Sequence, residues 1–154
     1  MTPGVRRAGI IDVIFGARVV VREPCNLYGC RLGDDVFVGP FMEIQKRAVI
    51  GARSRDQSHA FVCELVTIDE DCFIGHGVMF INDRFSNGDP AKGDQSLWKP
   101  THVANKVSIG SNATILPVSI CDRAVIGAGA VVTSDITEPG IYAGNPARKI
   151  RDVI

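Results

Sequence analysis

A large apolar residue returns at every sixth position over most of this chain. From Leu32 the series runs through Val38, Ile44, Ile50, Asp56, Val62, Ile68 and Ile74 to Phe80, and Asp56 is its only polar member. Two shorter series keep the same step: Val103, Ile109, Ile115, and then Ile120, Ile126, Val132. Stepping backwards from Leu32 predicts Asn26, Val20 and Ile14 in the same inward frame. A step of six matches neither the helical period of about 3.6 nor the strand period of 2. It fits a short strand, a corner and another strand. Three such units, about 18 residues, close one triangular coil, and stacked coils share a continuous core. Gly often follows the aliphatic (Gly33, Gly39, Gly51, Gly75, Gly110, Gly127), which predicts an unusual corner backbone there. A small residue comes four places after it (Cys30, Ala48, Ser54, Ala60, Cys72, Ala113), where the corner must turn. The competing all-β reading is a sandwich. Its strands would recur every 8–12 residues with variable loops, which a constant step of six does not resemble.

The chain has 154 residues, so one domain spanning 1–154 is expected. Composition agrees with an aliphatic core: 45% of residues are hydrophobic but only 6% aromatic. Seventeen basic and 17 acidic residues cancel, which removes any bulk electrostatic case for a nucleic-acid or membrane-surface partner. The apolar run near the N-terminus is broken by Asp12, Gly16 and Arg18, so neither a cleaved leader nor a membrane span is expected. The five cysteines (25, 30, 63, 72, 121) form no C-x-x-C pair and are expected to be reduced, buried side chains in a cytoplasmic protein.

Two interruptions stand out. Between Phe80 and Val103 the repeat gives way to INDRFSNGDPAKGDQSLWKPTH, which holds the only Trp. It predicts one loop protruding over about 83–102, of a length that usually has a function. From Ile115 to Ile120 the step is five, predicting one tightened corner. After Val132 the pattern fades through Pro139 and Gly140, predicting a short C-terminal extension: an extended return, then a short helix or tail.

Residues one coil apart should stack. Counting 18 places Asn82 over Glu64, Glu64 over Lys46, and His76 over Ser58, with His59 and Asp83 adjacent. Two acids, an amide and two imidazoles therefore gather where the loop departs, a polar cluster suited to a site.

These segments also resemble a known family. GDDVFVGPFMEIQKRAVIGARSRDQSHAFVCELVTIDEDCFIGHGVMFINDRFS, W-K-P-T-H-V at 98–103, SIGSNATILP at 108–117, IGAGAVVTSDI at 126–136 and AGNPARKI at 143–150 are similar to the hexapeptide-repeat acyltransferases. The similarity extends over residues 12–151 and is greatest to the nucleotide-linked 3-amino-sugar N-acetyltransferases. It implies a left-handed parallel β-helix and acetyl transfer from acetyl-CoA to the amine of a nucleotide-linked amino sugar, in surface polysaccharide or glycan biosynthesis. It further implies that Glu64, Asn82 and Asp83 surround the acceptor amine. The counted stack itself offers His59 and His76 as further candidate bases. Acetyl-CoA is then expected along Ser111, Ala128 and Thr133, with Arg148 near its phosphates, between the subunits of a homotrimer. Ser134 stands where a Lys often follows the Thr.

Other readings on the same fold stay open. A γ-type carbonic anhydrase needs three metal-bound histidines, two of them close in sequence. His59, His76 and His102 are the only histidines, and they are widely spaced, so no metal site is expected. A hydroxyl acceptor or a non-catalytic scaffold would use the same repeat.

Overall fold

The structure, a computed structural model, describes all residues, 1–154. Its 21 short strands form three parallel sheets of seven, six and eight strands. We call these sheets I, II and III, in the order the chain visits them. Each coil contributes one strand to each sheet, and the next coil lies directly above it. Glu43–Ile44 pairs with Phe61–Val62, Val49–Ile50 with Val66–Ile68, and Arg55–Asp56 with Phe73–Ile74. Backbone hydrogen bonds run from coil to coil: the Gly33 N–H donates to the Ile50 carbonyl at 2.8 Å, and the Gly51 N–H to the Ile68 carbonyl at 2.7 Å. The chain is a parallel β-helix, as the repeat predicts, and its fold is that of the left-handed hexapeptide-repeat type.

The inward residues are those of the six-step series. Every member from Leu32 to Phe80, from Val103 to Ile115 and from Ile120 to Val132 is buried, together with the small corner residues Cys30, Ala48, Ala60, Cys72 and Ala113. Each apolar coil thus removes three large aliphatics from water. At about 25 cal/mol per Å² of apolar surface, this burial drives the stacking. All five cysteines are free thiols, and four of them are buried.

The backward extension of the series is wrong by one residue. Sheet pairing sets Leu27 under Ile44, Val21 under Val38 and Phe15 under Leu32. Leu27 is fully buried, whereas Val20 and Ile14 are 50% and 58% exposed. The corner at Gly29–Cys30 is one residue short, so the first coils are offset by 17 from the next. The expected short corner between Ile115 and Ile120 is also present, and there Val103 pairs with Ile120 and Ile115 with Val132.

The reason for the recurrent Gly also differs from the expectation. Gly33, Gly51 and Gly110 are not in the left-handed region. A Cβ at Gly33 would lie 2.7 Å from the Ala52 nitrogen, and one at Gly110 would lie 2.5 Å from the Ala128 nitrogen. Close approach of the neighbouring coil excludes a side chain there. The left-handed turn falls two residues later, on Asp35, Arg53 and Asn112, with φ of 58°, 62° and 60°.

The loop leaves after Phe80 and returns at Thr101, where the strand Thr101–Val103 resumes sheet II, slightly earlier than the predicted boundary. It carries one 3-10 turn, Gln95–Leu97, capped by Asp94. At the C-terminus no helix forms. Ile141–Ala143 adds to sheet III, and the chain reverses so that Arg148–Arg151 pairs antiparallel with it. The Ile141 and Tyr142 edge is open for pairing, and an extended strand satisfies those backbone groups where a helix would leave them bare.

Candidate active site

A cavity of about 690 Å³ opens where sheet I turns into sheet II, beneath the protruding loop. In successive coils the same corner supplies Tyr28, then Gln45 and Lys46, then Cys63 and Glu64, then Ile81, Asn82 and Asp83. Phe85 and Trp98 of the loop form its outer wall. Strand stacking is the cause: sheet pairing superposes these corners, so residues distant in sequence share one wall.

Glu64 is the most deeply placed charge of the cavity, with its side chain 6% exposed. Two half-exposed cations face it, Lys46 Nζ at 3.4 Å from Oε1 and Arg47 Nη2 at 3.6 Å from Oε2. A buried carboxylate needs such partners because its desolvation is costly. Oε1 nonetheless accepts no hydrogen bond within the protein. The Asn82 side-chain amide donates to the Glu64 carbonyl at 3.2 Å, so the stack found by counting 18 is a direct contact. Behind them, Gln45 donates to Glu43 at 2.9 Å and accepts the Glu64 N–H at 3.3 Å. The Tyr28 hydroxyl is held above its ordinary pKa, first by burial and then by the charges of Glu43 and Glu64. Burial pushes the Cys63 thiol up to about 12, so it stays a neutral wall residue and no nucleophile.

Asp83 also lines the cavity, but its carboxylate points into the loop. Oδ1 accepts the Phe85 N–H at 2.9 Å and Oδ2 accepts the Ala91 N–H at 2.7 Å. His59 lies elsewhere, at the corner from sheet III to sheet I. It has a φ of 64° there, and its ring stacks on Phe41 with centroids 4.9 Å apart. His76 occupies the same corner one coil on, with Nδ1 2.8 Å from the Ser58 hydroxyl. Ser111 and Ala128 continue that corner, each just before a strand of sheet I. Thr133 follows sheet I and so stands on the cavity's corner, although it does not line the cavity. Arg148 is exposed at the start of the last strand.

Apart from Arg148, the expected residues therefore form two columns along opposite edges of sheet I. Glu64, Asn82, Asp83 and Thr133 stand on one, and His59, Ser111 and Ala128 on the other. Arg47, Tyr28, Gln45, Phe85 and Trp98 were not anticipated as site residues. Tyr28 was hidden by the one-residue offset of the first coils: a step of 17 to Gln45, then 18 to Cys63, would have found it.

Residues 105–134 match the family model described as the hexapeptide repeat of succinyl-transferase. The chain is 25% identical over 150 residues to the bifunctional protein GlmU of Listeria monocytogenes, covering 86% of this chain and 30% of that one. It spans about a third of the length of the curated relatives it matches. Among solved structures, AntD, an N-acyltransferase from Bacillus cereus in complex with dTDP and coenzyme A, superposes with a TM-score of 0.80 at 20% identity, over 92% of this chain and 84% of that one. A perosamine N-acetyltransferase from Caulobacter crescentus, in complex with CoA and GDP-perosamine, gives 0.68 at 21% identity, over 91% and 58%. In repeat, coil and fold, this chain is a hexapeptide-repeat β-helix protein, similar to the hexapeptide acyltransferases.

Proposed function

We propose that this protein is an acyltransferase that moves the acetyl group of acetyl-CoA to the amine of a nucleotide-linked amino sugar. One observation carries the reading: the Glu64 side chain lies buried in the cavity, Asn82 holds its backbone carbonyl, and one carboxylate oxygen accepts no hydrogen bond. That oxygen is closed to solvent with Lys46 Nζ 3.4 Å away, so an incoming N–H reaches it by displacing the half-exposed lysine. Lys46 and Arg47 face this carboxylate, which can receive a sugar ammonium and orient the neutral amine left once the ammonium has given one proton to water. The lone pair of that amine attacks the thioester carbonyl, the C–S bond breaks, and the leaving thiolate takes up a proton released by the nitrogen. With a reference thiol pKa of about 8.5 the thiolate is a competent acceptor, and no strong protein base is needed. Two solved structures of the same fold hold CoA together with dTDP or GDP-perosamine, which supports this substrate class.

Acetyl-CoA is assigned to the other edge of sheet I. Ser111 is half-exposed and Ala128 exposed, both are small, and they stack where the coils approach closely. They leave a low ridge for an extended pantetheine chain. A single subunit holds this ridge and the acceptor cavity on opposite edges of one sheet. A cyclic homotrimer that sets one edge against the neighbour's other edge brings them together.

The test is thiol release from acetyl-CoA with a panel of nucleotide-linked 3-amino and 4-amino sugars. Turnover with one amino sugar is expected, falling about a hundredfold in kcat/KM for Glu64→Ala and Asn82→Ala. Thiol release with hydroxyl sugars but none with amines overturns the amine assignment. Absence of acetyl-CoA binding overturns the enzyme reading.

A further inference from the structure

We propose that Asp83 is a positioning residue: its carboxylate clamps the protruding loop shut over the cavity and so builds the wall that receives the acceptor, without touching the reacting amine. The assignment of that wall to an acceptor rests on the function proposed above; the clamp itself rests on geometry alone.

Residues 81–100 have little of their own to hold them. Ala91 is the only buried residue among them, and the 3-10 turn is a single turn. Ordering such a segment costs about 1 kcal/mol or more per residue in backbone entropy, so specific contacts must offset it. Asp83 makes two of these. One oxygen closes a tight turn with the Phe85 N–H, and the other reaches across the loop to the Ala91 N–H. Hydrogen bonds to an ionised acceptor are about twice as strong as neutral ones. The one carboxylate therefore fixes both the entry of the loop and its buried middle.

Other pins depend on the loop already being in place. Arg84 donates to the Pro117 carbonyl at 2.6 Å, the Lys99 N–H to the Asn82 carbonyl at 2.8 Å, and Arg47 to the Gln95 side-chain oxygen at 3.1 Å. The last of these links the loop to the same guanidinium that faces Glu64. Phe85 and Trp98, the two loop rings that line the cavity, lie on either side of Ala91 in the chain. Release of the clamp at Ala91 frees both. Glu64 and Asn82 contact each other without involving Asp83, so they keep their arrangement when the clamp is lost.

The experiment compares wild type with Asp83→Asn and Asp83→Ala, and with Gln95→Ala as a second loop pin on an exposed residue. Three signals are read: hydrogen exchange at the Phe85 and Ala91 amides, Trp98 fluorescence, and kcat and KM for each substrate. Trp98 is the only tryptophan, so its emission reports this loop alone. In both Asp83 variants, exchange at Ala91 is expected to accelerate about tenfold or more and Trp98 emission to shift red. KM for the acceptor rises about tenfold, while kcat and KM for acetyl-CoA stay within about threefold. Gln95→Ala moves the acceptor KM in the same direction by a smaller factor. Unchanged exchange at Ala91 overturns the clamp, and so does a collapse of kcat at saturating acceptor without a rise in KM. Exchange and fluorescence need no turnover. If no acceptor is found, they still decide the clamp separately from the proposed reaction.

Discussion

Asp56 sits in sheet III between Val38 below and Ile74 above, and it is completely buried. Neither carboxylate oxygen has a hydrogen-bond partner, and burial raises its pKa from 3.8 to about 7. The folded chain therefore holds the proton that the unfolded chain releases near pH 4. The contribution of Asp56 to stability is greatest below that pH, falls as the pH rises to about 7, and is level above it. Urea denaturation between pH 4 and pH 8 should show this fall, and Asp56→Val should abolish it. The same substitution replaces an unpaired polar group with the residue its neighbours imply, and should raise stability at pH 8 by a few kcal/mol. A lower denaturation midpoint for Asp56→Val would mean that the carboxyl has a partner the fold does not show. At this scale Glu64 and Asn82 were legible, because a fixed repeat turns sequence separation into vertical distance. The direction of the Asp83 carboxylate was not, because it depends on where the Phe85 and Ala91 amides come to rest.

At the scale of the element, the corner is the informative unit. It must turn the chain within about four residues and leave room for the corner above. Gly110 meets the second demand, since a Cβ there would collide with the Ala128 backbone. Gly129 meets the first: it has φ of 70° with open space around its Cα. The two should respond differently to a methyl group. Gly129→Ala should cost about 1 kcal/mol, the ordinary strain of a left-handed residue. Gly110→Ala should cost more, about 2–3 kcal/mol, because two coils must move apart. Thermal denaturation of the pair checks this, and equal costs would remove close approach as the reason for the repeat's glycine. The strands were readable over Leu32–Phe80, where one frame alone is apolar. Near the N-terminus adjacent apolar pairs, Ile14 with Phe15 and Val20 with Val21, fit two frames equally, and the offset of one residue went unseen. The C-terminal strand was missed for another reason. Arg148–Arg151 is exposed along its whole length, so no buried periodicity marks it.

The whole molecule is a column with its candidate residues on two edges of one sheet. That arrangement predicts that the active species is an assembly. Sedimentation equilibrium is expected to give three times the 16.6 kDa chain mass, and full turnover by a 16.6 kDa species would refute the shared site. Apolar side chains already stand on sheet I, where Phe61 is half-buried and Met79 is 42% exposed. No helix in the chain is long and apolar enough to cross a membrane.

The sequence by itself determined the coil. Burying one aliphatic in every six residues has a single economical solution, and sheet pairing then follows from the period. It also placed Glu64, Asn82 and Lys46 in one stack, since that is a matter of counting. Only the tertiary structure decided what stands opposite them. Arg47 reaches Glu64 because a left-handed corner, with φ of 65°, turns it there. Trp98 and Phe85 line the cavity from a twenty-residue excursion in which the Phe85 and Ala91 N–H groups donate to the Asp83 carboxylate. A loop has no period, so its path is set by contacts that exist only once the chain has folded.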